Sequence, residues 1–143
     1  PSVATPSAMI ESMQERGMEI NIPAVHAEIT EAFWRYTHAV IENDIDTVTT
    51  LFWHSSHTLR YGTGENLYGI EAIAAFRNSQ RGRPLELNVR RVGITSFGDD
   101  FGTANCELLR PDIAGIGRMS HTWVRLEEGW RIVAAHVSNI PAS

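Results

Sequence analysis

Residues 85–140 read LELNVRRVGITSFGDDFGTANCELLRPDIAGIGRMSHTWVRLEEGWRIVAAHVSNI. Strand-favouring residues run in four long stretches, and turn residues punctuate them. Leu85 to Phe97 predicts a strand, closed by a turn at Gly98-Asp99-Asp100. Phe101 to Arg110 predicts the next, a loop spans Pro111 to Gly117, and Arg118 to Leu126 predicts a third. Glu127-Glu128-Gly129 turns the chain into a last strand, Trp130 to Ile140. Neighbours joined this tightly pair antiparallel, and such a sheet has to bury one face.

The cover must come from the first half. Pro23 suits the first position of a helix, with Asn21 as a candidate cap. Val25, Ile29, Ala32, Phe33, Tyr36 and Val40 then recur at three- and four-residue steps, giving a long amphipathic helix that ends near Asn43. Asp44 or Asp46 caps a shorter helix carrying Ile45, Val48, Leu51 and Phe52. His57 to Tyr61 and Glu65 to Tyr68 form a hairpin around Gly62-Thr63-Gly64. Ile70, Ile73, Ala74 and Phe76 mark a third helix, closed by Gly82 and Pro84. Helices first and a turn-linked sheet afterwards define an α+β class.

The 143 residues suit one domain, and no internal repeat is visible. Residues 1–17 read as a flexible N-terminal extension with a short frayed helix over 8–16 and no signal-peptide pattern. Met18 is the expected start of a single domain over 18–143, and a first residue other than Met is expected of a processed or engineered start. The net charge of −5 argues against nucleic acid or anionic membrane as the main partner. All twelve basic residues are arginine. Without lysine, Schiff-base chemistry, a phosphate-loop lysine and a Ser-Lys triad are excluded. The lone Cys106 precludes an internal disulfide, and a reducing, cytoplasmic setting is expected. His54 and His57 have no third ligand at a suitable spacing, so no metal site is expected.

The element order resembles the nuclear transport factor 2-like superfold of ketosteroid isomerase and the SnoaL-like polyketide cyclases. That resemblance implies a cone: three N-terminal helices packed in a curved antiparallel sheet, with one pocket at the open end. Met18-Glu19-Ile20-Asn21, Leu51-Phe52-Trp53-His54, Arg60-Tyr61-Gly62, Gly64-Glu65-Asn66-Leu67-Tyr68-Gly69, Thr103-Ala104-Asn105 and Thr122-Trp123-Val124-Arg125 are similar to the AtzH-like family, which includes the HpxZ-type proteins of oxalurate catabolism. The likeness runs from about Met18 to Ser138. It implies an enzyme of nitrogen catabolism that converts 1,3-dicarboxyurea to allophanate during cyanuric acid degradation, without cofactor or metal, in company with amidase-signature enzymes.

On spacing alone Tyr36 reads equally as a core tyrosine and Arg60 as a solvent-facing one. The resemblance turns both into the pocket as the catalytic pair: Arg60 clamps a substrate carboxylate, and Tyr36 donates a proton to the nitrogen that loses its carboxyl group. Strand alternation places His136 and Ser138 on one face with Ile132 and Ala134, and Ser120 and Thr122 together on the preceding strand, all as candidate lining for substrate. Trp53, Asn66 and Tyr68 follow from the family block as pocket wall or lid. Two other readings are carried along. One is a non-catalytic carrier or accessory protein for a partner amidase. The other is an isomerase or cyclase, for which Glu107 is the only strand carboxylate placed to act as base. Trp34 and Trp123 fall off the expected core faces and suggest a homodimer interface.

Overall fold

The computed structural model describes residues 5–7, 18–83 and 85–142. The proposed helix over 8–16 and the helix-closing Pro84 lie outside them. The long helix α1 spans Pro23–Glu42, with Pro at its start as the sequence suggests. Asn21 does not cap it. Asn21 is instead clamped to a strand: its side-chain oxygen accepts from the Ser96 amide at 2.8 Å, and its own amide donates to the Ser96 carbonyl at 3.0 Å. The helix ends where Asn43 turns left-handed, with the Asn43 and Asp44 amides donating back to Val40 and Ala39. Asp44 then caps α2 (Ile45–Thr50), accepting from the Thr47 amide and hydroxyl.

Next come β1 (Leu59–Tyr61), β2 (Asn66–Tyr68) and α3 (Ile70–Ser79). The long strands are β3 (Asn88–Phe97), β4 (Phe101–Arg110), β5 (Ile113–Leu126) and β6 (Gly129–Ile140). The predicted loop before β5 shrinks to Pro111 and Asp112. Arg110 pairs directly with Ile113 across the turn, and Asp112 accepts two hydrogen bonds from the Arg110 guanidinium.

One sheet holds all six strands in the order β2-β1-β6-β5-β4-β3. It is not wholly antiparallel: β1 runs parallel to β6, with Arg60 opposite Ala135. Nor do all three helices precede the sheet, because the β1–β2 hairpin stands between α2 and α3. Helix α1 lies in the curve of the sheet against β3, β4 and β6. Its buried stripe is Val25, Ile29, Phe33, Tyr36 and Ala39, packed on Phe52, Ile73, Ala104, Trp123 and Ile132. Each large apolar side chain buried this way contributes about 1.5–3 kcal/mol. The helix comes so close to β4 that a Cβ at Gly102 would run into Ile29.

The sheet has three register shifts, one of them between Leu108 and Arg110, and the other two bear on which residues face inward. Thr122 pairs with Ala134 but Trp123 with Ile132, so Val133 is an extra residue in β6. Ile132 faces the core, yet beyond the bulge it is Ala135 that turns inward, and His136 is exposed. Strict alternation through Val133 therefore misassigns the face of His136. On β5 the inward residues are Met119, His121 and Trp123, with Ser120 exposed. Trp123 is fully buried and cannot mark an interface. Trp34 is half-buried, with Phe33 set edge-on against it. The second bulge lies between Arg90 and Gly93. Arg91 takes a positive φ of 53° there, and both Arg90 and Arg91 reach Glu107.

Candidate active site

A cavity of about 470 Å³ opens between the concave face of the sheet, the end of α1 and α3. Four arginines line it (Arg60, Arg77, Arg83 and Arg110) against one carboxylate, Glu65. A protein of net charge −5 thus carries a cationic pocket. Such a surplus focuses the local potential on small anions.

Arg60 sits at the centre of β1 and is 7% exposed, while Leu59 and Tyr61 face the other side. Its Nη1 donates to Glu65 Oε1 at 2.7 Å, and its guanidinium lies 5.3 Å from the centre of the Phe76 ring. Its Nε is buried without a partner. Gly62 lies close against this pair. A Cβ there would strike the Glu65 carboxylate and Arg60 Nη1.

Tyr36, one turn after Phe33 on α1, is 2% exposed and lines the same cavity. Its hydroxyl accepts a hydrogen bond from Arg77 Nη2 at 3.0 Å. Sequence reasoning does not single out Arg77, because an arginine near the end of a helix passes for a solvated one. The available signal was its position four residues after the buried Ile73, which sets both on one helix face.

Behind Tyr36 stands His121, edge-on at 4.8 Å between ring centres. Neither ring nitrogen has a hydrogen-bond partner. Burial pushes its imidazole down to about 3, and the charges of Arg60 and Arg77 push the same way. It is therefore neutral at physiological pH.

The other expected site residues scatter. Ser138 lines the cavity. His136, Ser120 and Thr122 line a separate shallow depression of about 320 Å³ on the outer face of the sheet, together with Leu59 and Tyr61. Ser120 lies directly opposite His136, and Thr122 opposite Ala134, as neighbours on that outer face. The expectation that these three line the inner pocket is corrected, and the bulge at Val133 is the reason for His136. Tyr68 is 63% exposed and packs edge-on against Tyr61, and Asn66 is exposed on the edge strand β2. Trp53 stacks on His57 at 6.0 Å, away from the cavity lining. Glu107, the base required by the isomerase reading, is held by Arg90 at 3.0 Å and does not line the cavity. Among the described residues, no group of three or more His, Cys, Asp or Glu side chains is placed to hold a metal ion. Nor, among the described residues, is any helix long and apolar enough to cross a membrane.

A single helix cradled by a curved sheet, with one polar cavity at its end, defines the nuclear transport factor 2-like, or cystatin-like, class. Solved structures agree. A protein of unknown function from the DUF3225 family of Pectobacterium atrosepticum is 47% identical, over 85% of this chain and 94% of its own, with a TM-score of 0.82. A cystatin-like fold protein from Burkholderia xenovorans is 42% identical, over 89% of this chain and 100% of its own, with a TM-score of 0.83. A nuclear transport factor 2-like superfamily protein from Salmonella enterica is 26% identical, over 84% and 93%, with a TM-score of 0.66. A search of curated proteins found no match. Residues 18–143 match the AtzH-like family, and the chain belongs to it.

Proposed function

We propose that the protein is a metal-free decarboxylating amidohydrolase that converts 1,3-dicarboxyurea to allophanate. The observation that carries this reading is the placement of Tyr36 and Arg60 in one small cavity whose charged lining is four arginines and a single glutamate. A ligand with a carboxylate at each end meets that charge, whereas a neutral steroid-like substrate does not. The isomerase reading also loses its base, since Glu107 is engaged elsewhere.

In this reading Arg60 holds one terminal carboxylate and keeps the substrate extended toward α1. The bond between nitrogen and the other carboxyl carbon breaks, and its electron pair stays on nitrogen. Tyr36 delivers a proton there, giving the free amide of allophanate, and carbon dioxide leaves. The dianion plus one proton, given by Tyr36 and returned to it from solvent, becomes the allophanate anion plus carbon dioxide, so charge and atoms balance. If water joins the departing group, bicarbonate leaves instead. The Tyr36 oxygen already accepts from Arg77, which leaves its own O–H to point elsewhere. Apolar neighbours such as Val40, Leu87 and Leu108 in the cavity wall strengthen both polar contacts.

The proposal includes a cytoplasmic homodimer working beside an amidase-signature enzyme. Purified protein supplied with 1,3-dicarboxyurea tests it directly. Allophanate formed at a rate proportional to protein supports the enzyme. Tight binding without turnover sinks it in favour of a carrier.

A further inference from the structure

We propose that Arg77 is the second anion anchor of the cavity and the residue that positions the Tyr36 hydroxyl. The site then takes a small ligand with two carboxylates, one on Arg60 and the other on Arg77. This deepens the functional reading above and rests on the same cavity.

The two arginines differ in how their charge is met. Arg60 already has Glu65 at 2.7 Å. Arg77 has no carboxylate within ion-pair distance among the described residues, and its one side-chain hydrogen bond goes to a neutral phenol. Its Nε is buried and unpartnered. Both guanidinium groups lie against the same Phe76 ring, at 5.3 and 5.9 Å from its centre. Two cations are thus held beside one aromatic platform with a single carboxylate between them. His121 is neutral and offers no compensation.

A partly buried guanidinium without an anion is costly, and a planar fork of donors suits a carboxylate. Arg77 can hold Tyr36 through Nη2 and still present other N–H groups to a ligand. It therefore sets the distance between proton donor and carboxylate. A purely structural Arg77, tying α3 to α1, would affect stability without affecting anion affinity.

Malonate is an unreactive dicarboxylate and serves as the probe, with acetate as its one-carboxylate counterpart. The expected result by titration calorimetry is saturable malonate binding, with acetate bound at least about tenfold more weakly. Arg77→Gln should weaken malonate by about 30-fold or more while still melting cooperatively. Arg77→Lys should recover part of the malonate affinity but little of kcat, because an ammonium cannot hold phenol and carboxylate in one plane. In the wild-type protein, saturating malonate should shield Arg77 from phenylglyoxal, mapped by peptide mass, so the outcome does not depend on any variant folding. Wild-type malonate affinity in a folded Arg77→Gln protein, full kcat in Arg77→Lys, no malonate binding at all, or an unshielded Arg77 would each overturn the proposal. Malonate binding that needs Arg77 in a protein that forms no allophanate upholds the anchor and overturns only the proposed reaction.

Discussion

Arg77 Nη2 donates to the Tyr36 hydroxyl at 3.0 Å, joining α3 to α1 across the wall of the cavity. A second polar link joins the ends of the same two helices, where the Asn43 side chain donates to the Gln80 carbonyl at 3.1 Å. The tyrosine ring is fixed on its other faces by Phe52 and His121, both edge-on.

Removing only the hydroxyl isolates its chemical role. Tyr36→Phe should keep the fold, losing about 0.5–1.5 kcal/mol for the missing hydrogen bond. Allophanate production should fall by at least about a hundredfold, the usual scale of a lost proton donor. Activity and urea unfolding, measured on the same preparation, check both numbers. Full turnover would remove Tyr36 from the chemistry.

Gly62→Ala drives a methyl group into the Arg60–Glu65 pair. The atoms it meets are the ends of two flexible side chains, so the cost to folding should be small. The variant should remain folded yet lose most of its kcat/KM, since the guanidinium has to move. Wild-type kinetics in this variant would mean that the orientation of Arg60 is unimportant.

His121 makes stability depend on pH. Its native value of about 3 lies below the ordinary histidine value, so the unfolded chain takes up a proton that the native protein refuses. The contribution is complete above about pH 6.5 and drains away as pH falls toward 3, at up to about 1.4 kcal/mol per pH unit. His121→Leu should flatten that limb in urea unfolding series between about pH 4 and pH 7. An unchanged slope would place the acid sensitivity in other groups.

Burial pushes the Cys106 thiol up to about 11. The native protein should react with a thiol reagent such as Ellman's many times more slowly than a free thiol near neutral pH, and urea should restore the ordinary rate. Rapid labelling of folded protein would contradict the buried position on β4.

The sequence speaks clearly where one local rule acts alone. Pro23 and the stripe from Val25 to Tyr36 locate α1, because burial against a sheet imposes the helical period. Arg60, alone between two strand neighbours, is sent to the opposite face by alternation. Where two rules compete, the reading fails. One extra residue at Val133 resets alternation in β6 and carries His136 outward. The turn residues from Pro111 to Gly117 read as a loop, yet β5 already begins at Ile113, and Gly115, at positive φ, lies so close to the Ile140 carbonyl that a Cβ there would clash. Arg77 is signalled only by its spacing from Ile73, because what makes it distinctive is a contact with a residue on another helix.

The parallel pairing of β1 with β6 sets an order of assembly. Arg60 is held in register by Ala135, which belongs to β6, the last of the six strands in chain order. The anion site therefore cannot form before β6 has been made, however well the helices have formed, and any truncation that removes β6 should abolish it even though every cavity arginine is still present.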